Sequence, residues 1–175
     1  MEQFLYYRSL SRSAAIWREG KEVKTFPSET DKENYLRHMK EGKGFPSIWK
    51  SSNNDDLERV ALGLMLYKGN LDKIEFIGFD ECCFQKASVE VRQAPNHLFP
   101  LPSVGILHYE LYAPDLNLTQ SIELFLNCNG NFKRFPKVLD SATELSMLSI
   151  AKKYIKEITG ENHINKANEW IEKYG

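Results

Sequence analysis

Polar and charged side chains alternate with apolar ones along three segments in the middle of the chain, 86–93, 104–112 and 119–127. An alternation of period two predicts a strand with one set of side chains on each face. If the three strands are neighbours, one sheet face carries carboxylates, an imidazole, a guanidinium and a phenol. We predict a candidate ligand-binding site on this face, formed by Glu90, Arg92, His108, Glu110, Tyr112 and Glu123.

This polar face has a structural interpretation beside the functional one. Antiparallel sheets commonly leave one face in water, where charged residues are ordinary. His108 and the carboxylates could also hold a metal ion, but a His-x-Glu pair lacks the ligand spacing of a metal motif. The sequence therefore predicts no metal site and no cofactor. It leaves open whether the face is solvated or binds a small molecule.

A second set of residues resembles the core of metal-dependent nucleases of the restriction-enzyme type. In that family an acidic residue precedes a Glu-x-Lys on a paired strand, where two carboxylates hold Mg²⁺ and the lysine positions the attacking water. The counterparts here are Glu58 on a helix, Asp80 at a strand end, and Glu90 with Arg92. The resemblance implies a nuclease-like enzyme. Arg92 replaces the lysine, however, and a further strand is predicted where that fold has a crossover helix.

Other catalytic chemistry is not favoured. Cys82 and Cys83 follow an apolar segment beside Asp80 and Glu81, whose negative charges raise the pKa of a thiol and suppress the thiolate. Cys128 is remote, and an odd number of cysteines argues against a disulfide framework. The sequence contains no Gly-rich phosphate loop, Cys-x-x-Cys pair or Ser-centred elbow. We therefore expect a non-catalytic protein with reduced thiols.

The elements that must position the polar face predict an α+β fold with a mainly antiparallel sheet. We expect a meander of strands over 73–136, with the apolar segment 74–79 at its centre. Asn129 and Gly130 favour a hairpin turn between 119–127 and 131–135. An aromatic segment at 4–10 predicts a first strand, followed by an N-terminal hairpin that turns at Gly20 and returns through 23–26. The aromatic segment 45–49 is predicted to be a loop.

Helices are predicted at 29–41, near 55–68, near 141–158 and from about His163 onward. Ser141 and Glu144 match a capping box at the start of the third. The helices near 55–68 and 141–158 carry the apolar stripes that we expect to pack on the sheet. Three prolines make 94–103 a stiff, irregular loop. With no linker or repeat, the chain is predicted to be a single domain over 1–175.

Composition fits an ordinary globular protein. The chain has 175 residues, 42% of them hydrophobic, and a formal net charge of -1, which gives no general attraction to nucleic acid or anionic lipid. Arginines interleave with aromatic residues near the N-terminus, but the overall acidity does not favour a nucleic-acid partner. No signal peptide or membrane span is predicted, and we expect a cytoplasmic location.

The leading functional hypothesis is a non-catalytic binding protein whose partner is another protein or a second copy of itself. Its basis is a supply of aromatic residues expected near the surface, a class enriched at interface centres. These residues are Tyr6, Tyr7, Phe45, Trp49 and Phe99. The alternatives are a small-molecule-binding domain that uses the polar sheet face, and the nuclease-like enzyme.

Overall fold

Six strands form one sheet in the computed structural model of the protein, which describes residues 5–10, 28–30, 32–33, 46–112, 120, 124, 132–135 and 146–175. The sheet order is β4-β5-β2-β1-β3-β6, and the pairs β1–β2, β1–β3, β2–β5 and β4–β5 are antiparallel. The strands are β1 (Leu5–Leu10), β2 (Ser47–Ser51), β3 (Ile74–Phe79), β4 (Glu90–Gln93), β5 (His108–Tyr112) and β6 (Phe132–Phe135).

The α+β class and the mainly antiparallel sheet are confirmed, but the predicted meander is wrong in its strand order. β3 lies between β1 and β6, and β5 lies between β4 and β2. Alternating hydrophobicity reports that a segment is a strand with two distinct faces, and it carries no information about which strand is the partner. β3 is buried along its whole length, as its apolar residues on both faces predict.

The N-terminal region contributes the middle of the sheet. β1 matches the predicted first strand, and its neighbours are β2 and β3. The predicted return strand at 23–26 lies outside the described residues. The prediction of a loop at 45–49 is wrong, because Ser47–Ser51 forms β2. Ile48 and Trp49 are both buried in this strand, so their apolar character reflects core packing.

Three predicted strands differ from the structure. The segment 86–93 is strand only from Glu90, because the short helix α2 (Glu81–Lys86) precedes it and Ser88 turns the chain with a left-handed φ of 54°. The segment 104–112 is strand only from His108, after the short helix α3 (Pro102–Gly105). The strand predicted at 119–127 is wrong at the two residues that are described there, because Gln120 and Leu124 are helical, and their spacing of four residues also fits a helix.

Longer helices occur where the sequence predicts them. α1 (Asn54–Lys68) begins at Asn53, whose side chain accepts a hydrogen bond from the Asp56 backbone N–H. Residues 29–30 and 32–33 are helical within the predicted 29–41 segment. α4 (Met147–Tyr154) is capped by Ser146 and continues as a 3-10 turn (Ile155–Glu157), whereas the predicted capping box at 141–144 lies outside the described residues. α5 (Glu161–Tyr174) is the last helix.

Contacts group the chain into two compact units. The sheet unit comprises residues 1–52, 75–94 and 108–133, and the helical unit comprises 53–74, 95–107 and 134–175. Aromatic rings of Tyr6, Phe79 and Phe84 pack together in the sheet unit. In the helical unit α1 packs on α3, α4 and α5. The single-domain prediction stays a prediction.

Within the described residues, no helix combines the length and apolarity that a bilayer crossing requires.

Candidate functional site

The edge of the sheet brings three of the predicted site residues together. In the β4–β5 pair, Glu90 lies opposite Tyr112 and Arg92 lies opposite Glu110, so all four belong to one sheet face. Arg92 donates from Nε to Glu90 Oε1 at 2.8 Å and from Nη2 to Glu90 Oε2 at 2.9 Å. Its guanidinium carbon lies 3.2 Å from the centre of the Tyr112 ring. We call Glu90, Arg92 and Tyr112 the edge cluster.

Electrostatics favour the charged forms of Glu90 and Arg92 in the edge cluster. The Arg92 hydrogen bonds lower the pKa of Glu90, and the Glu90 carboxylate raises the pKa of Arg92. The side chain of Glu90 is 57% exposed and that of Arg92 is 50% exposed, so water screens the charge pair. The cluster therefore offers a fixed, solvent-accessible guanidinium plane on an aromatic ring, a surface that can receive a polar or aromatic ligand.

The other predicted site residues have different surroundings. His108 is buried, its ring centre lies 5.1 Å from that of Trp49, and its Nδ1 lies 2.5 Å from the Ala94 carbonyl oxygen. Glu110 is half-buried. Glu123 lies outside the described residues. The face is therefore polar at its β4 edge and packed at His108, and a ligand-binding role for the six residues stays a prediction.

A lysine and two tyrosines meet on the opposite face of the sheet. Lys50 lies opposite Tyr6 in the β1–β2 pair, and its Nζ is 5.4 Å from the Tyr6 ring centre and 6.0 Å from that of Tyr109. The Tyr6 and Tyr109 rings meet edge to face at 5.6 Å. Burial raises the pKa of Tyr6, so its hydroxyl stays protonated at neutral pH. We interpret this group as core packing around a lysine whose stem is apolar.

Glu58, a member of the nuclease-like set, is held by a hydrogen-bonded clamp between α1 and α4. Its buried carboxylate accepts hydrogen bonds from Lys153 Nζ at 2.8 Å and from the Tyr154 hydroxyl at 2.9 Å. Lys153 also donates to Asp55 at 3.1 Å. The Arg59 guanidinium covers the Tyr154 ring at 4.4 Å. We call Glu58, Lys153 and Tyr154 the helix clamp.

The protonation states of the helix clamp fit a structural role. Burial, with the adjacent Glu58 carboxylate, raises the pKa of Tyr154 to about 12. The hydrogen bond to Glu58 raises the pKa of Lys153 well above its ordinary value. A protonated tyrosine and a protonated lysine are poor general bases at neutral pH.

In the rest of the nuclease-like set, the Glu90 carboxylate binds Arg92. The enzyme alternative stays a prediction.

Four of the five aromatic residues expected at the surface are buried. Tyr6, Tyr7, Trp49 and Phe99 are between 2% and 7% exposed, and Phe45 lies outside the described residues. Tyr6, Tyr7 and Trp49 pack as strand residues, and Phe99 packs a loop against α1. The expectation of exposed aromatics is therefore wrong for these four. The large exposed apolar side chains among the described residues are instead Tyr67, Leu98, Ile106 and Tyr174. Leu98 is an isolated apolar residue in the proline-rich loop and gave no periodic signal, and Ile106 was assigned to the predicted strand 104–112, which begins only at His108.

Leu98 lies in a loop whose backbone is fixed on both sides. Asn96 donates its backbone N–H to the Gly105 carbonyl at 2.9 Å, and its side-chain Oδ1 accepts from the Leu98 N–H at 3.1 Å. Phe99 is buried against Gly63 of α1. The Pro100 carbonyl accepts from the Thr159 backbone at 2.8 Å. We call residues 95–101 the anchored loop.

The sequence matches no protein-family model, and comparison with curated proteins and with solved structures finds no match. Function therefore has to be argued from the residues and their geometry.

Proposed function

We propose that the protein is a non-catalytic binding protein of the cytoplasm, whose partner is another protein or a second copy of itself. The anchored loop is the proposed contact surface. An odd number of cysteines, with neither Cys82 nor Cys83 in a disulfide, supports a reducing compartment.

The observation that carries this proposal is the 85% exposure of Leu98 on a loop that is otherwise held in place. Its neighbour Phe99 is only 2% exposed, so two adjacent apolar residues have opposite environments. Because hydrogen bonds from Asn96 and to Pro100 fix the backbone, presenting Leu98 to a partner costs little further ordering. A pre-organised apolar side chain is the kind of anchor that a partner pocket can bury.

Two further large apolar side chains are exposed in the helical unit. Ile106 is 54% exposed and directly follows Gly105, whose carbonyl oxygen accepts a hydrogen bond from Asn96 of the anchored loop. Tyr67 is 69% exposed and lies one helical turn after Gly63, on which Phe99 packs. Tyrosine belongs to the aromatic class that is enriched at interface centres.

The test uses a double variant that carries both Leu98→Asp and Ile106→Asp. Tyr174→Asp is its control. All three positions are exposed, and Tyr174 lies at the end of α5, so the control adds a charge outside the anchored loop. Sedimentation velocity over a range of concentrations measures self-association, and affinity capture from the native host's extract measures other partners. We expect the double variant to lose a complex that the wild type and the control both form. A strict monomer without a captured partner, or equal binding by all three chains, contradicts the proposal.

A second candidate is a small-molecule site at the edge cluster. The Arg92 guanidinium stacked on Tyr112, beside half-buried Glu110, favours a polar ligand with an anionic or aromatic group. A thermal-shift screen with nucleotides, amino acids and carboxylic acids tests it. We expect a stabilising ligand to lose its effect in Arg92→Ala and to keep it in the control Lys166→Ala, which removes a half-buried cation of α5. A screen without a hit that depends on Arg92 rules this candidate out.

A further inference from the structure

Three side chains able to bind a metal meet where β3 passes into α2. The sulfurs of Cys82 and Cys83 and a carboxylate oxygen of Asp80 all lie within 4.8 Å of one another. Asp80 is the N-cap residue of α2, and its carbonyl accepts a hydrogen bond from the Cys83 backbone N–H at 2.9 Å. The turn that carries the three donors is therefore held by its own backbone.

We propose that Asp80, Cys82 and Cys83 form a binding site for one thiophilic divalent metal ion of the Zn²⁺ class. Thiolates with a carboxylate are a ligand set that zinc accepts, and the sulfurs disfavour Mg²⁺ and Ca²⁺, which prefer oxygen ligands. With Zn–S bonds of about 2.3 Å, tetrahedral zinc holds two sulfurs about 3.8 Å apart. The two sulfurs, which lie within 4.8 Å of each other, therefore need to approach by at most about 1 Å.

The burial of the three residues suits an ion that enters from solvent. Cys82 is exposed, Asp80 is half-buried and Cys83 is buried, so the site has an open side and a protein wall. Three protein ligands leave a fourth position for water, as in open zinc sites. Each thiol releases its proton to the solvent when its metal–sulfur bond forms.

This site is independent of the proposed protein-binding function, and sequence spacing alone did not indicate it. Adjacent cysteines do not match the Cys-x-x-Cys spacing of known zinc motifs. The close approach of Asp80 to both sulfurs arises because Asp80 is the single residue between the end of β3 and the start of α2, and that boundary is visible only in the structure.

Titration of the reduced full-length chain with Co²⁺ tests the proposal, because cobalt substitutes for zinc and its spectrum reports its ligands. We expect one ion per chain, a thiolate-to-metal charge-transfer band, and loss of that band when Zn²⁺ is added in equal amount. Cys82→Ser changes an exposed residue and leaves the core intact, and we expect it to abolish most of the charge-transfer band. Asp80→Asn should weaken Co²⁺ binding by at least about tenfold.

Cys128→Ser is the control for adventitious thiol binding, and we expect it to bind Co²⁺ as the wild type does. Circular dichroism of each variant without metal confirms that it is folded. A titration without a charge-transfer band, or a band that persists in Cys82→Ser and disappears in Cys128→Ser, overturns the proposal. Retention of wild-type affinity by Asp80→Asn removes the carboxylate from the site.

Discussion

At the scale of single residues, the helix clamp shows how a buried carboxylate is accommodated. The side chain of Glu58 is 5% exposed, whereas that of Lys153 is 49% exposed. Burying a charge is costly unless hydrogen bonds and an opposite charge accompany it, and Glu58 has both. An acidic residue on an amphipathic helix suggested catalysis from sequence, and the structure gives it hydrogen-bond partners from α4.

We predict that Glu58→Gln lowers the free energy of unfolding by about 1–2 kcal/mol, because it removes the charge that Lys153 binds while keeping an acceptor for Tyr154. The loss is smaller than for a fully buried ion pair, since solvent reaches Lys153 and screens it. Urea denaturation measures it. Asp55→Asn is the matched control, because Asp55 binds the same lysine from an exposed position, and its stability should stay near wild type. Equal stability of all three chains contradicts this prediction.

The raised pKa of Tyr154 predicts a loss of stability at alkaline pH. Its pKa is about 12 in the folded protein against 10.0 for an unperturbed tyrosine. The stability that this difference contributes is fully present below pH 10. Above pH 10 the tyrosine of the unfolded chain ionises first, so this stability is lost as the pH rises toward 12. We expect Tyr154→Phe to show a shallower alkaline decline than the wild type in denaturant titrations from pH 9 to 12. Parallel declines would show that Tyr154 ionises as readily in the folded state.

At the scale of elements, the anchored loop packs on α1 at one glycine, Gly63. A Cβ added at Gly63 would collide with the Phe99 ring. Glycine inside a helix costs about 0.5–1 kcal/mol relative to alanine, so its use here reflects the close approach of the ring. Phe99, although in a loop, is part of the core of the helical unit.

We predict that Gly63→Ala lowers the free energy of unfolding by about 1–3 kcal/mol, because steric overlap outweighs the gain in helix propensity. In a Phe99→Ala background the same change should cost less or become stabilising, since the obstructing ring is absent. A double-mutant cycle by chemical denaturation measures this coupling. Additive effects of the two substitutions would show that the loop does not pack on Gly63 in solution.

The elements also show what the sequence could predict. The segments at 90–93 and 108–112 were recognisable as strands from their alternation, and those at 5–10 and 74–79 from their aromatic and apolar composition, because these signals are local. β2 was missed because Pro46 and the serines at 47 and 51 resemble a loop, and α2 was missed because six residues are too few for a helical period. The common sheet face of Arg92, Glu90 and Tyr112 followed from the correct placement of two strands, whereas their contacts depend on the register of the β4–β5 pair. Burial of His108 depends on its neighbour Trp49 in β2, a pairing of distant segments that local patterns do not contain.

At the scale of the whole molecule, neither compact unit is a continuous stretch of chain. The chain passes between the sheet unit and the helical unit after residues 52, 74, 94, 107 and 133. β6 itself begins in one unit and ends in the other. Since no single linker separates the units, we predict that they unfold together as one domain.

Tryptophan fluorescence can test this prediction, because buried Trp49 reports on the sheet unit and buried Trp170 on the helical unit. In variants that keep only Trp49 or only Trp170, with the other two tryptophans changed to phenylalanine, we expect the fluorescence midpoint to coincide with the midpoint from far-ultraviolet circular dichroism. The comparison is made within each variant, so the destabilisation that the substitutions cause does not affect it. Coincident transitions are the signature of two-state unfolding. A Trp49 transition that precedes or follows the loss of helix would show that the sheet unit and the helical unit are separate domains.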